Sequence, residues 1–325
     1  MKRSGYTNLF VLLMAMIIGD VNGCIFRPHG PIDFAGGTQV ILADYQGSDP
    51  TGAPPEVAGA GLVARGEYLA RAADCIGCHT TPLGKPFAGG LAFKLPVGTL
   101  YSTNITPDKE TGIGEWTDAQ IITAIREGKD EKGKIIFPPM PVPTYNNMSD
   151  DDVKAIVAFL HTIKPIHHEV PESKWNIPQE AMPPAKGLPA PPKTDKVAYG
   201  GYIVNSLAHC FECHTTPGAN GAPDFAHHLG AGGFEITLAP GMVIKTANIT
   251  SDPDTGIGKW SDADIKKAMT EGVTPTGGHL SPPMPFSFFK NMTADDLDAV
   301  VAYIRTVPPI SNKVVRTDFQ AKAFP

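Results

Sequence analysis

Apolar residues recur at helical spacing in short blocks along the chain, and each block has a counterpart further on. The plainest covers residues 149–162, where Val153, Ile156, Val157 and Leu160 share one face behind a Ser149 cap. Residues 293–306 repeat it behind Thr293. A second block opens at Thr117, whose hydroxyl can cap while Gln120 reaches back, and stops at Gly128. Ser261, Asp264 and Gly272 restate those signals. A third covers residues 65–74, with Tyr68, Leu69 and Ala72, and is matched by residues 201–209 with Tyr202, Ile203 and Leu207. Few segments alternate as strands do, so the pattern predicts an all-α fold of short helices joined by long, shaped loops.

The counterparts keep their order. Asn104-Ile105-Thr106 returns as Asn248-Ile249-Thr250, and Thr111-Gly112-Ile113-Gly114 as Thr255-Gly256-Ile257-Gly258. Trp116, Met140 and Met148 return as Trp260, Met284 and Met292, again 144 positions on. Two similar domains in tandem follow, over residues 61–166 and 196–310. Residues 165–195 contain eight prolines and little that could form a core, which makes 167–195 a Pro-rich linker. It is either semi-rigid in polyproline geometry or packed along the domains with Trp175 as a pin. Residues 311–325 form a short tail.

Five cysteines bring in the chemistry. Four lie in Cys75-Ile76-Gly77-Cys78-His79 and Cys210-Phe211-Glu212-Cys213-His214. This spacing places two thiols on one turn, able to bond the two vinyl groups of a haem, with the next histidine aimed at the iron. A Cys-x-x-Cys pair also serves in thioredoxin-like motifs, zinc sites and small disulfides. Zinc leaves both histidines unexplained, and a thioredoxin motif expects a βαβ context. Two copies in matching surroundings therefore predict two covalently bound haem c groups, one per domain. The motifs stand 135 apart whereas the later markers stand 144 apart. The nine extra residues are expected in the loop that contains His227 and His228.

Each iron needs a second axial ligand if it is to carry electrons. Met148 and Met292 precede helix caps, at the position of a hydrophobic staple. Met140 and Met284 instead lie in Pro-Pro-Met-Pro loops, where proline stiffens the backbone and removes competing donors. They are the expected sulfur ligands, opposite His79 and His214. The remaining histidines lack matching partners, as His161 is answered by Arg305 and His209 by Asp74, which leaves bis-histidine ligation of one haem as the lesser alternative. Trp116 and Trp260 suit closure of the haem crevice, either as propionate donors or as packing. Gly89-Gly90 and Gly232-Gly233 suit a close backbone approach to the haem edge, or plain turns.

The fifth cysteine, Cys24, follows Lys2, Arg3, an apolar run over residues 9–18 and then Val21-Asn22-Gly23. That order is an export signal over residues 1–23, and its apolar run is too short for a permanent membrane span. Cys24 is then either the lipidated first residue of a membrane-anchored periplasmic lipoprotein or a free thiol after ordinary cleavage. Residues 24–60, rich in Gly, Pro and Asp, are an irregular arm. The net charge of -6 offers no basic footprint for nucleic acid and suits docking to a basic patch on a redox partner.

Taken together, Cys-x-x-Cys-His, Asn-Ile-Thr, Thr-Gly-Ile-Gly-x-Trp and Pro-Pro-Met-Pro resemble the cytochrome c subunits of bacterial membrane-bound alcohol, aldehyde and gluconate dehydrogenases. The resemblance covers both repeats. It implies two class I cytochrome c domains, with Cys75, Cys78, His79 and Met140 serving one haem and Cys210, Cys213, His214 and Met284 the other. The best-known members carry three haem domains; this sequence holds two such motifs. The implied role is periplasmic electron transfer, from a dehydrogenase to a respiratory cytochrome or oxidase. The competing class is a diheme peroxidase or sulfur-compound dehydrogenase, which needs an open iron position. Both repeats retain Pro-Pro-Met-Pro, which favours the carrier over an enzyme.

Overall fold

The computed structural model describes residues 61–315 except 82–83, 96–97, 137–139, 177, 180, 219–222, 240–241 and 281–283. Cys24, the export signal, the arm and most of the tail lie outside these residues. Among the described residues no helix is long and apolar enough to cross a membrane.

Each domain is built on two crossed helices. In the first, α1 (Leu62–Ala72) packs on a later helix over Asp150–Leu160; in the second, Lys196–Ser206 packs on Ala294–Ile304. Glycine permits the contact. A Cβ on Gly66 would lie 1.8 Å from the Ala155 carbonyl oxygen, and one on Gly200 would lie 1.8 Å from that of Ala299. The first helices start earlier than the pattern predicts, at Leu62 and Lys196 rather than at 65 and 201. Gly200 and Gly201 suggest a boundary to local propensity, yet they mark the crossing, and the helix is capped further back by Asp195, which accepts from Ala198 N at 3.0 Å. Both helices end before the cysteines. Asp74 (φ 44°) and His209 (φ 38°) are left-handed and separate α1 from α2 (Cys75–Cys78), and the second long helix from its own cysteine turn, Cys210–His214.

The remaining helices follow their caps. Thr117 and Gln120 form a complete capping box on α3 (Asp118–Glu127), which ends at left-handed Gly128; Ser261 and Asp264 do the same for Asp262–Glu271, ended by Gly272. A one-turn helix, α4 (Val142–Tyr145), precedes α5 (Asp150–Leu160). The second domain repeats the series as α6 (Lys196–Ser206), α7 (Cys210–His214), α8 (Asp262–Glu271), α9 (Phe286–Phe289) and α10 (Ala294–Ile304).

Helices predominate, but the architecture is not purely α. Strands β1 (Ala92–Leu95) and β2 (Gly98–Tyr101) form an antiparallel hairpin, and β3 (Lys174–Trp175) adds a third strand beside β2. In the second domain β4 (Glu235–Ala239) pairs with β5 (Met242–Lys245). Each hairpin buries one cross-strand pair, Phe93 with Leu100 and Ile236 with Ile244. Four- and five-residue strands with one inward pair are too short to register as alternation. The ninth extra residue of the second unit sits here, in a register shift between Thr237 and Ala239. The other eight precede Gly232, in the loop carrying His227 and His228, where both imidazoles meet the Asp224 carboxylate.

The described residues of 167–195 run against the domains. Ser173 Oγ accepts from Tyr101 N at 2.9 Å, Asn146 Nδ2 donates to the Pro183 carbonyl at 3.0 Å, and Lys193 Nζ meets Asp296 at 2.8 Å. The Trp175 indole nitrogen is buried. Of the two arrangements the prolines allow, the packed one is observed.

The domains are joined by reciprocal bonds. Tyr68 Oη on α1 donates to Asp296 Oδ2 on α10 at 2.6 Å, and Tyr202 Oη on α6 donates to Asp152 Oδ2 on α5 at 2.7 Å. Each tyrosine oxygen also accepts a backbone N–H at the opposite cap, from Thr293 (3.1 Å) and Ser149 (3.0 Å). One buried apolar cluster runs through both units.

Candidate haem sites

In the first domain Cys75 and Cys78 occupy one helical turn, both as free thiols. Burial pushes the Cys75 thiol up to about 12, and the equivalent Cys210 up to about 12 as well. Redox-active Cys-x-x-Cys pairs need the opposite, a stabilised thiolate. No group of three or more metal-holding side chains exists among the described residues, so a tetrahedral zinc site has no second half there.

His79 follows the second thiol. Its Nδ1 donates to the Thr103 carbonyl at 2.7 Å, and His214 Nδ1 donates to that of Ala247 at 2.8 Å. A carbonyl only accepts, so Nδ1 carries the proton and Nε2 keeps its lone pair. Burial lowers both imidazole pKa values against these bonds, which favours the neutral, ligating form. Tethered imidazoles of this kind are what metal-binding histidines require.

Neighbouring backbone holds the acceptors in place. Gly89 N donates to the His79 carbonyl at 2.8 Å, and Gly232 N to that of His214 at 2.9 Å. A Cβ on Gly89 would stand 2.3 Å from the Thr103 carbonyl carbon; on Gly232, 2.4 Å from that of Ala247. The close approach these glycines permit is therefore to the segment that orients the histidine. The Asn-Ile-Thr motif secures its far side. Asn104 Oδ1 accepts from Thr106 Oγ1 (2.7 Å), and its Nδ2 donates to Thr111 Oγ1 (3.0 Å) and the Ile166 carbonyl (2.8 Å). Asn248 makes the same set with Thr250, Thr255 and Ile310. Along the chain these motifs register only as markers of the repeat, and Thr103 and Ala247 do not register at all, because a residue acting through its carbonyl leaves no side-chain signal.

Met140 and Met284 are partly buried against the core immediately before α4 and α9, followed by Pro141 and Pro285 at the helix caps. Met148 and Met292 are 1% and 5% exposed within the core, at the foot of α5 and α10. The two classes of methionine thus have different surroundings. Trp116 and Trp260 pack half-buried on the cluster. His161 Nε2 lies 2.8 Å from Asp118 Oδ1, and Arg305 Nε donates to Asp262 Oδ1 at 2.6 Å, so histidine and arginine do one tethering job.

Paired thiols on one turn, followed by an imidazole whose Nδ1 is tied to a carbonyl and whose Nε2 keeps its lone pair, fit a covalently held haem in each domain. The class of protein is thus one with two haem domains in tandem. The chain belongs to the cytochrome c family, whose model matches residues 63–164 and 203–308. It is 38% identical over 268 residues to the cytochrome c subunit of the quinone alcohol dehydrogenase of Gluconobacter oxydans, covering 77% of this chain and 55% of that protein. It is 33% identical to the gluconate 2-dehydrogenase cytochrome c subunit of Pantoea cypripedii, covering 86% and 63%. A diheme cytochrome c-type protein of Cereibacter sphaeroides is 27% identical, covering 85% of this chain and 98% of its own length. The chain therefore spans little more than half of the first of these relatives. Its cofactors are two covalently bound haem c groups.

Proposed function

We propose that this chain is a two-haem electron carrier, with Cys75, Cys78, His79 and Met140 holding one haem and Cys210, Cys213, His214 and Met284 the other. The observation that carries this is the pair of imidazoles whose Nδ1–H is tied to a carbonyl, at Thr103 and Ala247. Haem iron supplies a one-electron couple whose potential its axial ligands set. The chain contributes covalent anchorage, a neutral imidazole fixed in rotation, and a thioether on a proline-stiffened approach. Met140 and Met284 would hold the iron opposite His79 and His214 and would leave it no position open to a substrate. This supports electron transfer over a peroxidase or a sulfur-compound dehydrogenase.

The donor is a dehydrogenase and the acceptor a respiratory cytochrome or oxidase. The printed names of the relatives support the donor. Residues 1–23 support export to the periplasm, and Cys24 supports a lipid anchor at the membrane surface.

Ligation is tested on purified holoprotein. Met140→Ala and Met284→Ala each abolish the weak near-infrared sulfur–iron(III) absorption of one haem and open that iron to carbon monoxide. Met148→Ala and Met292→Ala keep the band and lose about 2–5 kcal/mol of stability as truncated core residues. Ready binding of carbon monoxide by the reduced wild-type protein at neutral pH would refute the closed sites.

A further inference from the structure

The two domains meet in duplicate. Besides the reciprocal tyrosines, α9 of the second domain brings Phe288 to Gly77, inside the first cysteine turn, where a Cβ would stand 3.4 Å from its ring. Its repeat counterpart Thr144, on α4, donates to Glu212, inside the second cysteine turn. A relation that exchanges the domains has an axis, and two equivalent residues meet on it. They are Asp74 and His209, each immediately before a first cysteine, each left-handed.

They are also chemically opposite. His209 Nε2 lies 3.7 Å from Asp74 Oδ1, with side chains 14% and 19% exposed. Burial opposes the imidazolium, but the Asp74 carboxylate, with Glu212, outweighs it and raises His209 to about 9. The residue before Cys75 is thus acidic, and the residue before Cys210 is an imidazole held in its cationic form by it. The Tyr145 ring stands edge-on to His209 with centroids 6.4 Å apart, and its hydroxyl donates to the Ala73 carbonyl at 2.7 Å. The counterpart of Tyr145, Phe289, has no hydroxyl. Glu212 is a further carboxylate that acts on His209.

We propose that the Asp74–His209 pair makes the two repeated haem sites electrochemically unequal, lowering the potential of the first haem and raising that of the second. This rests on the haem assignment above. Net charge beside a haem shifts its potential: a nearby anion favours ferric iron and a nearby cation ferrous. Asp74 adjoins Cys75 and His209 adjoins Cys210 along the chain, so each charge is bonded next to one attachment turn.

The test exchanges the charges. The double variant Asp74→His, His209→Asp is titrated spectroelectrochemically at neutral pH beside the unexchanged protein, both carrying Glu212→Gln, because the charge of Glu212 answers to residue 209. Exchange is expected to raise the potential of the haem on Cys75 and Cys78 and lower that of the haem on Cys210 and Cys213. The ratio of the two reduced haems at mid-titration then changes several-fold. The haems are told apart by repeating the titration in Met140→Ala. Potentials that stay put, or move together, overturn the proposal. Asp74→Asn and His209→Gln give the same reading should the exchange not fold: the first raises potentials, most at the first haem, and the second lowers them, most at the second. Shifts of one common sign in both single variants, as simple loosening gives, also overturn it. Retention of covalent pigment and of both sulfur–iron bands is scored separately, so failure of the haem assignment is distinguishable from failure of the charge argument.

Discussion

Thr103 and Ala247 hold equivalent posts through their carbonyls, so their side chains are free to differ, and do. The residues before the cysteines are the reverse case, equivalent in place and opposed in charge. His209 has consequences for stability as well as potential. Its folded pKa of about 9 lies above the ordinary value near 6.5, so folding takes up a proton. That stabilisation is complete below about pH 6.5 and is lost as pH rises through about 9. Thermal unfolding of wild type and His209→Gln should therefore show a gap that is widest near pH 6 and narrows towards pH 9.5. A gap independent of pH would mean that His209 is neutral in the folded protein.

Among the elements, the crossed pairs α1 with α5 and α6 with α10 depend on glycine in opposite repeats at the same place. The obstacle to a side chain there is backbone, Ala155 or Ala299, with Phe159 or Tyr303 behind it, so no rotamer change relieves it. Gly66→Ala and Gly200→Ala should each cost at least about 1–3 kcal/mol, the usual range for overpacking, despite alanine's better helix propensity. The check is the thermal midpoint of each variant. A neutral or stabilising result would mean that the helices cross elsewhere. The capped helices carry less risk: a capping box is local, whereas a crossing glycine answers to a partner more than eighty residues away.

At the scale of the molecule, the tyrosines decide whether the domains act as one. Burial and the facing aspartates raise both phenols far above their ordinary range, so each stays protonated and keeps donating. Each acceptor also has a cation: Arg65 Nε meets Asp152 at 2.8 Å, and Lys193 Nζ meets Asp296 at 2.8 Å. Tyr68→Phe and Tyr202→Phe should each lose about 1.5–3 kcal/mol, the value of a hydrogen bond to a charged group, and leave the haem spectra unchanged. Unfolding that splits into two transitions in the double variant would identify these bonds as the source of cooperativity between the units.

The capped helices and the paired thiols with their histidines are determined by sequence because each depends on neighbours within a few residues, and the repeat because it restates those local signals in order. The chain alone also separated Met148 and Met292, now seen buried in the core, from Met140 and Met284. What it left undecided involves distant partners. The true starts of α1 and α6, the short hairpins, the packed course of residues 167–195 and the carbonyls behind His79 and His214 all arise from contacts between segments far apart in sequence. The meeting of Asp74 with His209 is the extreme instance. Their equivalence can be read from the repeat, but only folding one unit against the other sets an anion beside a cation, since a long-range Coulomb contact has no periodicity along the chain.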